Sequence, residues 1–438
     1  MNFSKAQRKT FAVTWLTYAG FYLCRKNLSI ALPLLGRTLG MNSLALANIV
    51  FGYSLLYAIG QFVFGFLSDR IGPKRVLGVG LFMIVVSNLA MGFHSAILWL
   101  MIFACLNGAA QATGWSGLVK IMASWFSPEN RGVVMAWWGT NYVLGGFLAT
   151  TFATWSVSER APFPELGGAR GFLFPAILLL LMVPAFWAMV TDTPDQHQPE
   201  AMRPASGFGN RSDSSWSDVK VLLRKPALWT VGGSYFFLEL CRYALMFWLP
   251  YYMVKELRYD LQSAGYLSGL YELVGVGGAL FAGYISDRFT QSRRAPVAAV
   301  MLILLSVVML FQPAFAHAGL VGMGLVISLA GFLSYGPDTL LSGAAAQDVG
   351  EAKAAATASG LIDGIGHLGA LASPYLVVLA SGHYGWNQLF FIFAATAFSA
   401  GLLLLPLWNL STVHANPKSL SSSVVSDLSG KCVSEIAN

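Results

Sequence analysis

The chain has 438 residues, of which 56% are hydrophobic and only 11% charged, with a mean hydropathy of +0.61. A soluble domain carries about 25% charged residues, so the composition excludes an ordinary soluble enzyme and selects an integral membrane protein. The formal net charge of +7 comes from basic residues scattered among short polar segments, the pattern of cytoplasmic loops and not of a nucleic-acid face.

Apolar stretches of roughly 20 residues recur along the chain, the length a helix needs to cross the hydrocarbon core. The short alternating segments of a membrane β-barrel are missing. Lys5, Arg8 and Lys9 precede the first apolar run. Arg25 interrupts that run and no small-residue cleavage site follows, so it reads as a retained first transmembrane helix and not as a signal peptide. The predicted spans are 11–34, 45–67, 76–93, 97–121, 132–154 and 171–191, then 228–253, 264–286, 296–315, 319–341, 353–380 and 387–410. Between the two sets, 192–226 has linker chemistry, with Pro194, Pro199, Pro204, Gly207 and Gly209. Its end, Asp218 to Lys225, has the character of a short amphipathic surface helix.

The expected fold is therefore all-α, with twelve transmembrane helices in two six-helix bundles, residues 1–191 and 227–411. A tail, 412–438, lacks the hydrophobic content to fold. Lys5, Arg8, Lys9, Arg70, Lys74, Arg75, Arg131 and the basic residues of the linker fall on one side of the membrane, as do Arg288, Arg293 and Arg294. The positive-inside rule makes that side cytoplasmic, with both termini and the linker there. Cys24, Cys105, Cys241 and Cys432 have no metal-like or paired spacing and read as small packing residues.

One unit is used twice. Leu23-Cys24-Arg25 is followed by Pro33, and Leu240-Cys241-Arg242 by Pro250, each proline eight residues after its arginine. Downstream, Gly65-Phe66-Leu67-Ser68-Asp69-Arg70 is echoed by Gly283-Tyr284-Ile285-Ser286-Asp287-Arg288. A charge at bilayer depth is expensive and marks a functional site by default. Two at matched positions of a repeat are expected to face one another across the interface between the halves. Each arginine offers a planar fork of donors that suits a phosphoryl group. The competing reading is a structural ion pair, and Glu239, three residues before Arg242, is on the same helical face.

The segment Gly65-x-x-x-Asp69-Arg70-x-Gly72-x-Lys74-Arg75 resembles the loop between helices 2 and 3 of the major facilitator superfamily. There the glycine is expected to let two helices approach, and Asp69 with Arg70, like Asp287 with Arg288, to latch one conformation. A narrower resemblance is to the organophosphate:phosphate antiporters. It is carried by Tyr18-x-x-x-Tyr22-x-x-Arg25-Lys26-Asn27, by Arg242-Tyr243 with Trp248 and Pro250, and by Tyr271-Glu272. Asn107-Gly108, Gln111, Gly114-Trp115, Gly331-Phe332 and Gly336-Pro337 are also similar to that family. Three positions depart from it: Gln61 stands where a lysine is common, Tyr142 where carriers of glycerol phosphate and hexose phosphate have a histidine, and Phe247 where an aspartate can occur.

The resemblance implies a monomeric alternating-access carrier of the inner (plasma) membrane. Its partners would be a small phosphorylated organic anion, inorganic phosphate and the lipid bilayer, with no cofactor, metal, nucleic acid or catalysis. Arg25 and Arg242 would bind the anion, with Tyr18, Tyr22, Lys26, Gln61, Tyr142 and Glu272 around it. Tyr18 reads equally as an interfacial aromatic, the deeper Tyr22 less so, and Lys26 reads as a scaffold or snorkelling residue. Glu272 is placed to pair with Lys26 or Arg242. Asp363 and His367, four apart, share a helical face and are either a proton site or a packing contact. Asp338, beside Pro337, reads as the cap of a broken helix. Two other functions fit the same residues: a membrane sensor of hexose phosphate, and a proton-coupled carrier of another organic anion.

Overall fold

The computed structural model describes residues 3–94, 96–126, 134–135, 137–193, 216–290, 293–316 and 318–409. Helix α1 (Lys5–Thr38) opens on a capping box in which Ser4 Oγ accepts from Gln7 N and Gln7 Oε1 accepts from Ser4 N. α2 (Ser43–Ile71) is capped by Asn42. Gly72, at φ +93°, makes the turn into α3 (Pro73–Phe93), a backbone conformation that glycine alone adopts without strain. α4 (Ile97–Gln111) and α5 (Thr113–Trp125) are one span interrupted at Ala112. α6 (Thr140–Ser156) and α7 (Arg170–Met189) end the first half. The short α8 (Trp216–Leu223) lies where the surface helix was expected.

The second half comprises α9 (Pro226–Lys255), α10 (Leu261–Arg288), α11 (Arg294–Ala316), α12 (Gly319–Thr339), α13 (Ala346–Tyr384) and α14 (Trp386–Leu403). Among the described residues, nine spans are long and apolar enough to cross a membrane. α1, α6 and α9 complete twelve. α1 and α9 carry the buried polar and charged groups described below, and α6 has only 17 helical residues. Several boundaries differ from the expectation, among them the start of α1 at Lys5 in place of 11 and the end of α14 at Leu403 in place of 410, and the most consequential lies between α12 and α13. A π-helical turn, Leu340–Ala345, joins α12 directly to α13, which begins seven residues before the predicted 353. The intervening Gly343-Ala344-Ala345-Ala346 is rich in alanine, the strongest helix former, and the helix runs through what reads as a polar loop.

In the first half α1 packs on α6 and α7, α2 on α4, and α3 on α7. In the second, α9 packs on α13, α10 on α12, and α11 on α14. The halves meet along α1 with α9, α2 with α13, and α6 with α10. The repeat survives in atomic detail. Tyr53 and Tyr271 each stand sixteen residues before their loop aspartates, Asp69 and Asp287. A Cβ on Gly108 would lie 2.1 Å from the Tyr53 carbonyl oxygen, and one on Gly331 would lie 2.0 Å from that of Tyr271. The α2–α4 and α10–α12 crossings are thus the same close backbone contact made twice. The loop-motif glycines do not do this work, contrary to expectation. A Cβ on Gly65 or Gly283 meets nothing within 4 Å, because both face open space near the helix ends.

The halves are fastened at the end where α1 and α9 finish. Arg37 donates to the Val254 carbonyl (3.5 Å), the Ser43 and Tyr251 hydroxyls are 3.0 Å apart, and Lys255 donates to Ser43 (3.1 Å). Tyr375 of α13 donates to Asn48 Oδ1 of α2 (2.9 Å), and Gly265 of α10 seats against Thr154 of α6.

Candidate functional site

α1 is held at mid-membrane by amides from its neighbours. Asn107 Nδ2 donates to the Cys24 carbonyl (2.8 Å), Gln111 Nε2 to the Phe21 carbonyl (2.9 Å), and Asn27 Nδ2 to Asn88 Oδ1 (2.8 Å). All four amide side chains are buried. They grip the helix turn that presents Arg25, and so orient it. Asn88 carried no sequence signal; Asn107 and Gln111 were visible only through the family resemblance.

Arg25 is 5% exposed and sits in an aromatic cage. Its guanidinium carbon is 4.7 Å from the centre of the Tyr22 ring and 4.8 Å from that of Tyr57, on α2. Nη1 donates to the Tyr22 hydroxyl at 3.4 Å, while the buried Nε and Nη2 have no hydrogen-bond partner. Among the described residues no carboxylate forms an ion pair with it. Tyr18, one turn further back, packs against Tyr22, Trp115 and Trp138 and belongs to the aromatic wall of the first half.

Arg242 has the opposite environment. Its Nε donates to Glu239 Oε1 (2.7 Å) and its Nη2 to Glu239 Oε2 (3.0 Å), with Asp338 Oδ1 3.5 Å from Nη2. Asp338 also accepts from the Tyr235 hydroxyl (3.0 Å) and, across the interface, from Tyr142 (3.4 Å). The helix-cap expectation for Asp338 is therefore corrected: its carboxylate turns inward to Arg242, and the chain past it stays helical. Tyr243 and Tyr335 flank the guanidinium, each ring centre 5.4 Å away.

Lys26 points into the interface, where it forms a buried ion pair with Glu272, which also accepts from Thr150 at 3.4 Å. A buried pair between α1 and α10 fixes a contact between the halves and leaves no snorkelling role for Lys26. His367 stacks on Tyr57 (5.7 Å between ring centres) and meets Tyr243 edge-on (6.2 Å). Its Nδ1 lies 2.8 Å from the Asp363 carbonyl oxygen. The pair is thus joined through backbone, not through the Asp363 carboxylate. Arg25, Tyr57, Tyr243 and His367 line one small cavity, so four helices from both halves converge there. Gln61 is half-buried one turn beyond Tyr57.

The proposed latch residues lie away from this centre. Arg70 stacks on Phe66 of its own helix (4.3 Å), and the Asp69 side chain lies outside what the structure describes. The N-terminus of α3 is capped by Asp192, which accepts from Lys74 N at 2.7 Å. In the second copy Asp287 forms an ion pair with Arg294, and Arg288 is exposed. No cluster with metal-ligand character occurs among the described residues.

The repeated helical halves, with Arg25 buried on α1 and Arg242 half-buried at the matching place on α9, have the architecture of a membrane carrier. The Major Facilitator Superfamily model matches residues 14–374, and the chain belongs to that superfamily. Its curated relatives include the glycerol-3-phosphate transporter of Bacillus subtilis, 28% identical over 422 residues that cover 93% of each chain. They also include a probable hexose phosphate transport protein of Chlamydia trachomatis, 27% identical and covering 92% of this chain and 91% of that one. The glucose-6-phosphate exchanger SLC37A2 of Xenopus laevis is 28% identical over 80% of this chain and 77% of its own. Among solved structures, an inward-facing bacterial homologue of the human lysosomal transporter Spinster superposes with a TM-score of 0.74. It covers 94% of this chain and 98% of its own at 12% identity, a likeness of fold.

Proposed function

We propose that the protein exchanges a phosphorylated organic anion for inorganic phosphate across the inner (plasma) membrane by alternating access. The observation that carries this reading is Arg25: a buried guanidinium, uncompensated by any described carboxylate, with two donor nitrogens unused. A buried cation left so is costly, and a phosphoryl group supplies the charge and acceptors that it lacks. The names of the relatives, carriers of glycerol phosphate and hexose phosphates, point the same way. In this reading the bundles 1–191 and 227–411 of a monomer rock about the arginines, joined by the cytoplasmic linker 192–226, with both termini cytoplasmic. Anion drawn between Arg25 and Arg242 lowers the barrier to closure, so exchange outruns net uptake. The test is counterflow in proteoliposomes with phosphate inside or absent, against a panel of phosphate esters. Ester uptake that requires internal phosphate supports exchange; uptake indifferent to internal phosphate sinks it.

A further inference from the structure

The charges gathered between the halves, some buried and some half-buried, do not balance in favour of an anion. Three cations, Arg25, Lys26 and Arg242, share the region with four carboxylates: Glu239 on α9, Glu272 on α10, Asp338 on α12 and Asp363 on α13. Glu239, Glu272 and Asp338 are 0%, 2% and 4% exposed, and Asp363 is half-buried. A dianion added to this set would bring two further negative charges into a medium that screens them poorly. Lys26 and Glu272 cancel as a pair. Arg242 alone is compensated twice over, by Glu239 and by Asp338. Glu239 holds it through two short bonds, and Asp338 through a single contact at 3.5 Å, so Asp338 is the partner that an arriving anion displaces.

We propose that Asp338 is a proton-binding group of the carrier: the anion takes its place on Arg242, and the released carboxylate accepts one proton from water. This rests on the anion-exchange reading above. The other groups that interact with Asp338 are Tyr22 from α1, Tyr142 from α6, Tyr235 and Glu239 from α9, and Asp363 and His367 from α13, with Tyr335 beside it on its own helix. Arg25 has no described carboxylate to displace, so it receives the anion first and Arg242 closes on it as the proton arrives. In strict exchange the proton enters with each anion and leaves with the other, so binding depends on pH while no net proton crosses.

The N-terminal half shows why this device belongs to one half only. Tyr22 stands three residues before Arg25, where Glu239 stands three before Arg242. Aligning Gly108 with Gly331 places Trp115 opposite Asp338, seven residues on in each case. Aromatic rings thus occupy in one half the positions that carboxylates occupy in the other.

The test is calorimetry of inorganic phosphate binding to the full chain at pH 8, in buffers of different ionisation heat. About one proton should be taken up per phosphate, with affinity falling by about a decade per pH unit above the midpoint. Asp338→Asn should lose the uptake and flatten that slope. The gentler Tyr235→Phe removes a donor to the Asp338 carboxylate, which makes protonation easier and moves the midpoint to higher pH. Binding without proton uptake, uptake retained in Asp338→Asn, an unmoved midpoint in Tyr235→Phe, or a requirement for sodium in place of acid would each overturn the proposal. Binding without uptake leaves exchange standing. Failure of phosphate and every ester to bind removes both readings.

Discussion

At the scale of single residues, the repeat places two arginines alike and then surrounds them differently. Arg25 is stabilised by the faces of Tyr22 and Tyr57, a cation–π contact that leaves its charge available, whereas Arg242 is neutralised by carboxylates. Substituting Arg25→Lys keeps the charge but removes the planar fork, so phosphate affinity should fall by roughly a hundredfold, the loss of about two charge-assisted hydrogen bonds. Calorimetry on protein confirmed as folded checks this, and near-normal affinity would remove Arg25 from the site. The Lys26–Glu272 pair makes a different prediction. Removing one partner leaves a buried charge without compensation, which costs about 3–5 kcal/mol. Glu272→Gln and Lys26→Met should each lower the thermal unfolding midpoint sharply, and the double variant should recover most of the loss. Additive losses in the double variant would show that the pair is not the stabilising unit.

At the scale of helices, the close crossings depend on glycines that meet backbone. Gly108→Val and Gly331→Val would each drive a Cβ to about 2 Å from a carbonyl oxygen, forcing α2 from α4 or α10 from α12. Each should lower stability by about 3 kcal/mol or more, whereas Gly283→Ala should be neutral or mildly stabilising, since nothing lies near it. Unfolding midpoints in detergent distinguish the three, and a harmless Gly331→Val would refute the crossing. Helix existence was legible because a run of some 20 apolar residues has few alternatives. Arg25 and Arg242 were legible for the complementary reason, as charges inside such runs. Glu239 was visible too, as a same-face neighbour three residues away. Asp338 was not, because it reaches Arg242 only through the packing of α12 beside α9, 96 residues on, and its neighbour Pro337 imitates a helix cap. The misassigned glycines have the same cause: periodicity shows that a glycine is on a face, while only packing shows what that face meets.

At the scale of the whole molecule, the proposed alternating-access cycle requires that the fastened end of the two halves come apart. The polar contacts there, Arg37 with the Val254 carbonyl and Ser43 with Tyr251 and Lys255, contribute about 1 kcal/mol each, and they sit beside apolar packing in which Leu32, Leu35 and Leu46 share one core with Leu249 and Met253. Opening this end therefore has to separate apolar packing as well as hydrogen bonds, a cost that anion binding must offset. The α6–α10 crossing offers a place to forbid it. A Cβ on Gly265 would lie 2.9 Å from that of Thr154, somewhat closer than a disulfide's usual Cβ separation of about 3.8 Å and within reach of a small local shift. The pair Thr154→Cys with Gly265→Cys should therefore cross-link on oxidation, joining the first half to the second at this end. Cross-linked protein should still bind phosphate in detergent, because the arginines lie deeper and the opposite end remains free to admit it. Counterflow should fall to background, since the site can no longer be presented to the cross-linked side, and reduction should restore it. Gly265→Cys alone, oxidised in the same way, separates overpacking from locking. Counterflow at the normal rate in fully cross-linked protein would show that this end does not open during transport, and the rocking-bundle mechanism would have to be abandoned.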